Sequence, residues 1–162
     1  MAEHVYRTGF GYDVHRLEPG NQLILGGVTI PSDGIGTVAH SDGDVLAHAI
    51  CDAILGACAL GDIGTHFPDT DERFRGADSM VLLAEVQRIV EGAGYRIINI
   101  DATIVLERPK IAPYRTRIEE SIRTRLNLGE HDVSVKATTN EQLGPVGAGH
   151  GIAAYAVAML RR

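Results

Sequence analysis

The chain has 162 residues, 44% hydrophobic and 22% charged, which suits one domain over 1–162 with one core. A formal net charge of −6 and 5% aromatic content without Trp argue against a nucleic-acid partner, which needs a basic stripe or stacking rings. No apolar run is long enough to span a membrane, and the opening MAEHVYRTGF lacks a secretory leader pattern, so no membrane partner and a cytoplasmic location are expected.

In chain order, residues 6–15 read as extended and end in Tyr12-Asp13-Val14-His15. Gln22 to Ile30 predicts a small hairpin turning at Gly26-Gly27, followed by a Gly-, Ser- and Asp-rich loop to Asp42. Asp44 to Leu60 has helical periodicity. Ser41 and Asp44 resemble a capping box at its start, and Gly61 is the expected C-cap. Cys51 and Cys58 lie seven apart on this helix and read as reduced, buried side chains. A long loop then runs from Gly61 to Asp71. Helices are expected over 78–93, closed by Gly94, and over 113–128. Strands are expected over 95–106, 133–138 and 151–160. The last strand is almost wholly apolar, which predicts cover on both faces. The pattern implies an α/β fold: a two-layer sandwich of a mixed β-sheet with helices on one face. The other face then needs a cover that a homo-oligomer would supply.

Alternate strand residues share a face, so Asp13 and His15 project together and can share one metal ion. His48 on the following helix offers a third donor. Two imidazoles and a carboxylate suit zinc and leave a fourth position open for catalysis. Asp44, His48 and Asp52 recur at i, i+4 and i+8 as a polar stripe, so Asp44 or Asp52 is expected to accept the second ring proton of His48. A solvated helix face is the alternative reading of that stripe. At the end of the 133–138 strand, Thr138, Thr139, Asn140 and Glu141 offer hydroxyls and amides for phosphate and a carboxylate for a hard cation such as Mg²⁺. Leu106-Glu107-Arg108-Pro109-Lys110-Ile111-Ala112 joins a strand to a helix and offers Lys110 and free amides to an anion. His40 can donate to a phosphate.

The segments Gly11 to His15, His40 to Asp44, Gly61 to Gly64, Phe67 to Asp71, Pro109-Lys110, Lys136 to Thr139 and Gly151 to Ala153 follow one another as in the 2-C-methyl-D-erythritol 2,4-cyclodiphosphate synthases, which the chain resembles over its whole length. The resemblance implies a homotrimer with sheets packed together and active sites between subunits. It implies the cytidine diphosphate substrate 4-diphosphocytidyl-2-C-methyl-D-erythritol 2-phosphate, closed to a cyclic diphosphate with loss of CMP in non-mevalonate isoprenoid biosynthesis. Asp13, His15 and His48 match its Zn²⁺ ligands, and Asp13 and His15 thereby border the substrate. Glu141 matches the residue that helps hold Mg²⁺ or Mn²⁺ on the diphosphate. His40 and Thr139 match groups around the transition state. Asp62 matches the ribose contact, Ile63 and Gly64 border the substrate with it, and Leu106 to Ala112 match the cytosine pocket. Ser41 and the loop Phe67, Pro68, Asp69, Thr70, Asp71 match contacts to the methylerythritol portion. The sequence departs from the family at Pro145, Ala148 and His150, where an aromatic or aliphatic residue, Arg and Glu are usual, so no role carries over to them. The same residues also admit a zinc phosphohydrolase or a catalytically silent trimeric isoprenoid-diphosphate binder; the intact Asp13, His15, His48 and Thr139 argue against the latter.

Overall fold

A computed structural model describes residues 5–68 and 70–162; Asp69, expected at the substrate, lies outside them. The chain forms β1 (Tyr6–Pro19), β2 (Leu23–Leu25), β3 (Val28–Ile30), β4 (Ile35–Thr37), α1 (Val45–Ala57), α2 (Ile63–His66), α3 (Ser79–Gly92), β5 (Arg96–Val105), α4 (Arg115–Arg125), β6 (Val133–Thr138), α5 (Gly144–Gly147) and β7 (Gly151–Arg161). Short 3₁₀ turns occupy Glu72–Phe74 and Ala112–Tyr114. The main sheet runs β4-β1-β7-β5-β6, antiparallel except for the parallel β5–β6 pair. β2 and β3 form the separate hairpin, turning through Gly26 and Gly27 at φ 57° and 75°, a backbone region glycine enters freely.

The core lies between one sheet face and the helices. Ten of the thirteen α1 residues are buried, so α1 is a core helix with apolar residues all round. It packs on β1 and β7 below and α3 beside it. Ile50, Ile54, Leu55, Leu83, Ile100, Ile104, Ile118 and Ile122 are each below 2% exposed. Each such side chain contributes about 1.5–3 kcal/mol by leaving water. Cys51 and Cys58 are buried and free.

Two glycines set the approach of α1 to the sheet. Gly9 and Gly11 alternate with Phe10 on β1 and face the helix. A Cβ at Gly11 would lie 1.8 Å from the Ala49 carbonyl oxygen, and one at Gly9 would lie 1.9 Å from that of Ala53. The helix backbone therefore rests directly on the strand.

Several local expectations change. β1 runs to Pro19 and pairs with a short β4 inside the expected loop. The loop from Gly61 holds the single helical turn α2. Ser41 does not cap α1: Asp44 does, its Oδ1 accepting from the Ala47 amide at 3.0 Å, while Ser41 Oγ accepts from the Gly43 amide. The helix ends at Ala57 with Cys58 as C-cap, and Ala59 takes the left-handed turn at φ 57°, ahead of Gly61. On β7 the inner face is buried, but Tyr155 and Val157 are 39% and 44% exposed on the outer one, so within one chain a single face is covered.

Candidate functional site

Asp13 and His15 leave the helix-facing side of β1 just beyond the two glycines, where α1 presents His48. His15 Nε2 lies 2.8 Å from Asp13 Oδ2, His48 Nδ1 lies 3.0 Å from the same oxygen, and the two ring nitrogens are 3.3 Å apart. One donor atom from each residue falls within 4.8 Å of the others. All three side chains are partly buried. The two nitrogens and the oxygen converge on one point from two elements, and this donor set and convergence fit a divalent ion such as zinc. The outward His15 nitrogen, Nδ1, donates to the Val38 carbonyl at 3.1 Å, which leaves Nε2 facing the cluster.

The electrostatics agree with closely coupled groups. Burial works against the Asp13 carboxylate, but hydrogen bonds and charge from His15 and His48 outweigh it and hold its pKa at about 2. Burial likewise opposes the charged form of His15, and Asp13 reverses the balance, so its pKa is raised. A bound divalent ion would displace the proton that Asp13 helps His15 to hold.

The polar stripe on α1 does not act as its spacing suggests. Asp44 is fully buried and bonds the Ala47 amide and, through Oδ2 at 2.7 Å, the Gly27 amide. Asp52 accepts from the Ile63 amide at 2.7 Å. Neither accepts the second ring proton of His48. The helix period puts the three on one side but does not decide which loop amide lies opposite each carboxylate. The groups behind His48 are instead Ser79, whose Oγ is 2.9 Å from Nε2, and Ser41 at 3.2 Å. Ser79 escaped the sequence reading because a serine just inside a helix start carries no motif; only the docking of α3 against α1 brings it there.

Asp44 has a pH signature of its own. Burial pushes its carboxyl up to about 6 from 3.8, against the backbone donors that favour the charge. The native state then holds more protons than the unfolded one between these values. The stability this group contributes is full below the unfolded pKa and is lost as pH rises through the native one. Between pH 4.5 and 6.5 the loss is about 2 kcal/mol. Urea unfolding at both pH values should show a drop larger by that amount in wild type than in Asp44→Asn. Equal drops would remove the assignment.

A second group gathers at the same end of the sheet. β1 registers His15 with Ile152, β7 registers Ala153 with Val105, and β5 registers Val105 with Thr138. Three strand spacings, about 14 Å, thus separate His15 from the end of β6 within one chain. There Thr139 Oγ1 donates to Glu141 at 2.8 Å. Glu141 and Gln142 are left-handed at φ 50° and 61°, a costly region for non-glycine residues. Glu107 sustains the bend by accepting from the Asn140 and Gln142 amides at 2.7 and 3.4 Å. Glu107, Arg108, Pro109 and Lys110 border a cleft of about 1050 Å³ with Leu17, Ile35, Gln142 and the Gly147–Gly149 loop; the Arg108–Pro109 peptide is cis. Leu106 and Ile111 are buried beneath it and Ala112 is exposed. Ala148, one of the departures from the family pattern, lines the same cleft. Asp62 caps α2 through Thr65 at 2.8 Å, and His40 is exposed in the loop between β4 and α1. Phe67 packs edge-on against Phe74, with centroids 5.3 Å apart. Pro68 and Asp71 are partly buried, Thr70 exposed.

A mixed sheet backed by helices, with a two-imidazole, one-carboxylate cluster between its long strand and its central helix, defines an α/β protein equipped to hold a metal. The chain belongs to the YgbB family, whose sequence profile matches residues 6–161. A relative from Syntrophobacter fumaroxidans, 2-C-methyl-D-erythritol 2,4-cyclodiphosphate synthase, is 56% identical over 155 residues, covering 96% of this chain and 97% of its own. The synthase of the same name from Azotobacter vinelandii is 57% identical over 154 residues, covering 95% and 98%. Among solved structures, a 2-C-methyl-D-erythritol 2,4-cyclodiphosphate synthase in a CDP-bound form superposes with a TM-score of 0.88 at 42% identity, over 95% of this chain and 99% of that one. The bifunctional IspDF of Campylobacter jejuni matches 98% of this chain with a TM-score of 0.94 at 42% identity, and the chain spans 43% of that longer protein. No helix among the described residues is long and apolar enough to cross a membrane.

Proposed function

We propose that the chain, acting as one domain over residues 1–162, closes 4-diphosphocytidyl-2-C-methyl-D-erythritol 2-phosphate into 2-C-methyl-D-erythritol 2,4-cyclodiphosphate. A 2-phosphate oxygen forms a bond to the β-phosphorus, the bond from that phosphorus to the α-phosphate bridging oxygen breaks, and CMP leaves, which is phosphorus–oxygen lyase chemistry. The observation that carries this reading is the convergence of Asp13, His15 and His48 in a chain 56% identical to a synthase of that name.

The nucleophile is already an anion, so no strong base is required. The difficulty is gathering anionic phosphates and stabilising a crowded phosphorus. Asp13, His15 and His48 would hold Zn²⁺, and Glu141 a Mg²⁺ or Mn²⁺ ion, and these ions would neutralise phosphate charge and orient the diphosphate. His40 and Thr139 donate around the reacting phosphorus, with Thr138 and Asn140 beside them. Leu106 to Ala112 hold cytosine, and Asp62, Ile63 and Gly64 the ribose. Ser41 and Phe67 to Asp71 contact the methylerythritol portion. Fixing both ends of one molecule in a folded pose supplies the proximity term. A cytoplasmic location is part of the same reading.

The roughly 14 Å between His15 and the end of β6 is bridged, in this reading, by assembly. The outer face carries Phe10, Tyr12 and Val14, exposed at 63%, 46% and 47%, beside Tyr155 and Val157. Tyr12 and Tyr155 rings sit 5.1 Å apart. We infer that these faces pack together in a homotrimer, which covers them and completes each site from two subunits. Phe10→Glu, a change at an exposed position, should shift the sedimentation coefficient from trimer to monomer while circular dichroism stays native; an unshifted trimer would exclude this face.

The deciding assay follows CMP and the cyclic product from the cytidyl substrate, with and without chelator. Equal amounts of both, abolished by chelator, are expected. CMP accompanied by an open-chain phosphate would instead establish a hydrolase. Calorimetry should show CDP binding more tightly than UDP, since the Leu106–Ala112 segment offers cytosine its backbone groups; equal affinities would remove that pocket.

A further inference from the structure

His48 is held from behind by a chain of groups that ends on a carboxylate. Its Nε2 is 2.9 Å from Ser79 Oγ, and Ser79 Oγ is 2.5 Å from Asp42 Oδ1. The Ser79 amide also donates to Asp42 Oδ2, at 3.0 Å. Ser79 is fully buried. We propose that Ser79 and Asp42 are a positioning pair that fixes the tautomer of His48, keeping the proton on Nε2 and the lone pair of the neutral ring on Nδ1.

The polarity follows from counting protons. An ionised carboxylate only accepts, and a serine hydroxyl has one proton to give. That proton is committed to Asp42, so Ser79 Oγ faces His48 with lone pairs alone. Nε2 must therefore be the donor. Without this pair, Asp13 Oδ2 at 3.0 Å would draw the proton of the neutral ring to Nδ1, the nitrogen that faces the cluster, and block it as a ligand. Ser41 Oγ, at 3.2 Å from Nε2, already accepts from the Gly43 amide and is the fallback acceptor. The role differs from that of His15, whose outward nitrogen is fixed by a backbone carbonyl and so is insensitive to side-chain replacement. The tautomer assignment stands on these contacts alone; its consequence for metal rests on the proposed metal role of the cluster.

Two measurements separate these layers. In metal-free protein labelled with ¹⁵N-histidine, above the titration of the rings, long-range ¹H–¹⁵N correlation should show His48 as the Nε2–H tautomer. Ser79→Ala combined with Ser41→Ala should move it to Nδ1–H, and Ser79→Thr, which restores the hydroxyl, should return it. Zinc ion titrated alone against a competing chelator should bind the double variant about 10- to 100-fold more weakly, with Ser79→Thr near wild type. Asp42→Ala is the second route should the double variant not fold: it removes the acceptor of the Ser79 hydroxyl proton, so the Nε2–H preference should weaken with Ser79 in place. A folded double variant that keeps Nε2–H and wild-type zinc affinity would overturn the proposal. Wild type that binds no zinc but shows the tautomer shift would remove the metal role and leave the positioning pair standing.

Discussion

His48→Ala should lower CMP release by about 10³-fold or more and abolish stoichiometric zinc binding, while the thermal transition of the metal-free protein moves little. The magnitude follows from the several kcal/mol a metal contributes to a phosphoryl transition state, at about 1.36 kcal/mol per tenfold. The small structural effect follows from position. His48 is only partly buried, and the capping of α1 by Asp44 and its packing through Ile50, Ile54 and Leu55 do not involve the imidazole. Elemental analysis and the CMP assay check both halves. A metal-free His48→Ala protein of full activity would end the proposed role of the cluster.

Gly11→Ala should be among the most damaging single-methyl changes in the described residues. The added carbon would lie 1.8 Å from the Ala49 oxygen and 2.7 Å from the Ala53 nitrogen. Both are backbone atoms, so no rotamer relieves the clash and α1 must lift from β1 as a body. Overpacking of this kind costs about 3 kcal/mol or more, a fall of roughly 10 °C in Tm for a chain of this size. Zinc binding should fall with it, because His48 rides on the displaced helix while Asp13 and His15 stay on the strand. Gly92→Ala, where the added carbon meets nothing within 4 Å, is the control and should change stability by less than about 1 kcal/mol. Urea unfolding of the two variants decides it; equal stabilities would show that the helix is not held at backbone contact.

Much of the architecture is legible as periodicity. The two-residue repeat that places Asp13 and His15 on one face also places Gly9 and Gly11 there, and the structure uses all four on the helix side. The hairpin at Gly26-Gly27 and the 133–138 strand follow from local turn and strand chemistry. The errors lie where a local signal has two outlets. Ser41 has the right residue type for a cap, but Asp44, three positions on, reaches the Ala47 amide instead. The i, i+4, i+8 stripe is real, yet Asp44 and Asp52 spend their carboxylates on Gly27 and Ile63.

By itself the sequence determined the order of the main strands and helices, though not the short β4, α2 and α5, together with the apolar core helix, the pairing of Asp13 with His15 and, through collinear motifs from Gly11 to Ala153, the family. These are properties of neighbours along the chain, where spacing converts directly into a shared face. Only the tertiary structure decided what stands opposite each polar group: Ser79 and Asp42 behind His48, Val38 behind His15, Glu107 beneath the left-handed turn at Glu141 and Gln142. Those partners lie more than twenty residues apart in sequence, and a hydrogen bond between them depends on ångström-scale docking of helices and loops. No repeat in the sequence encodes that docking, because it results from the packing of the whole core.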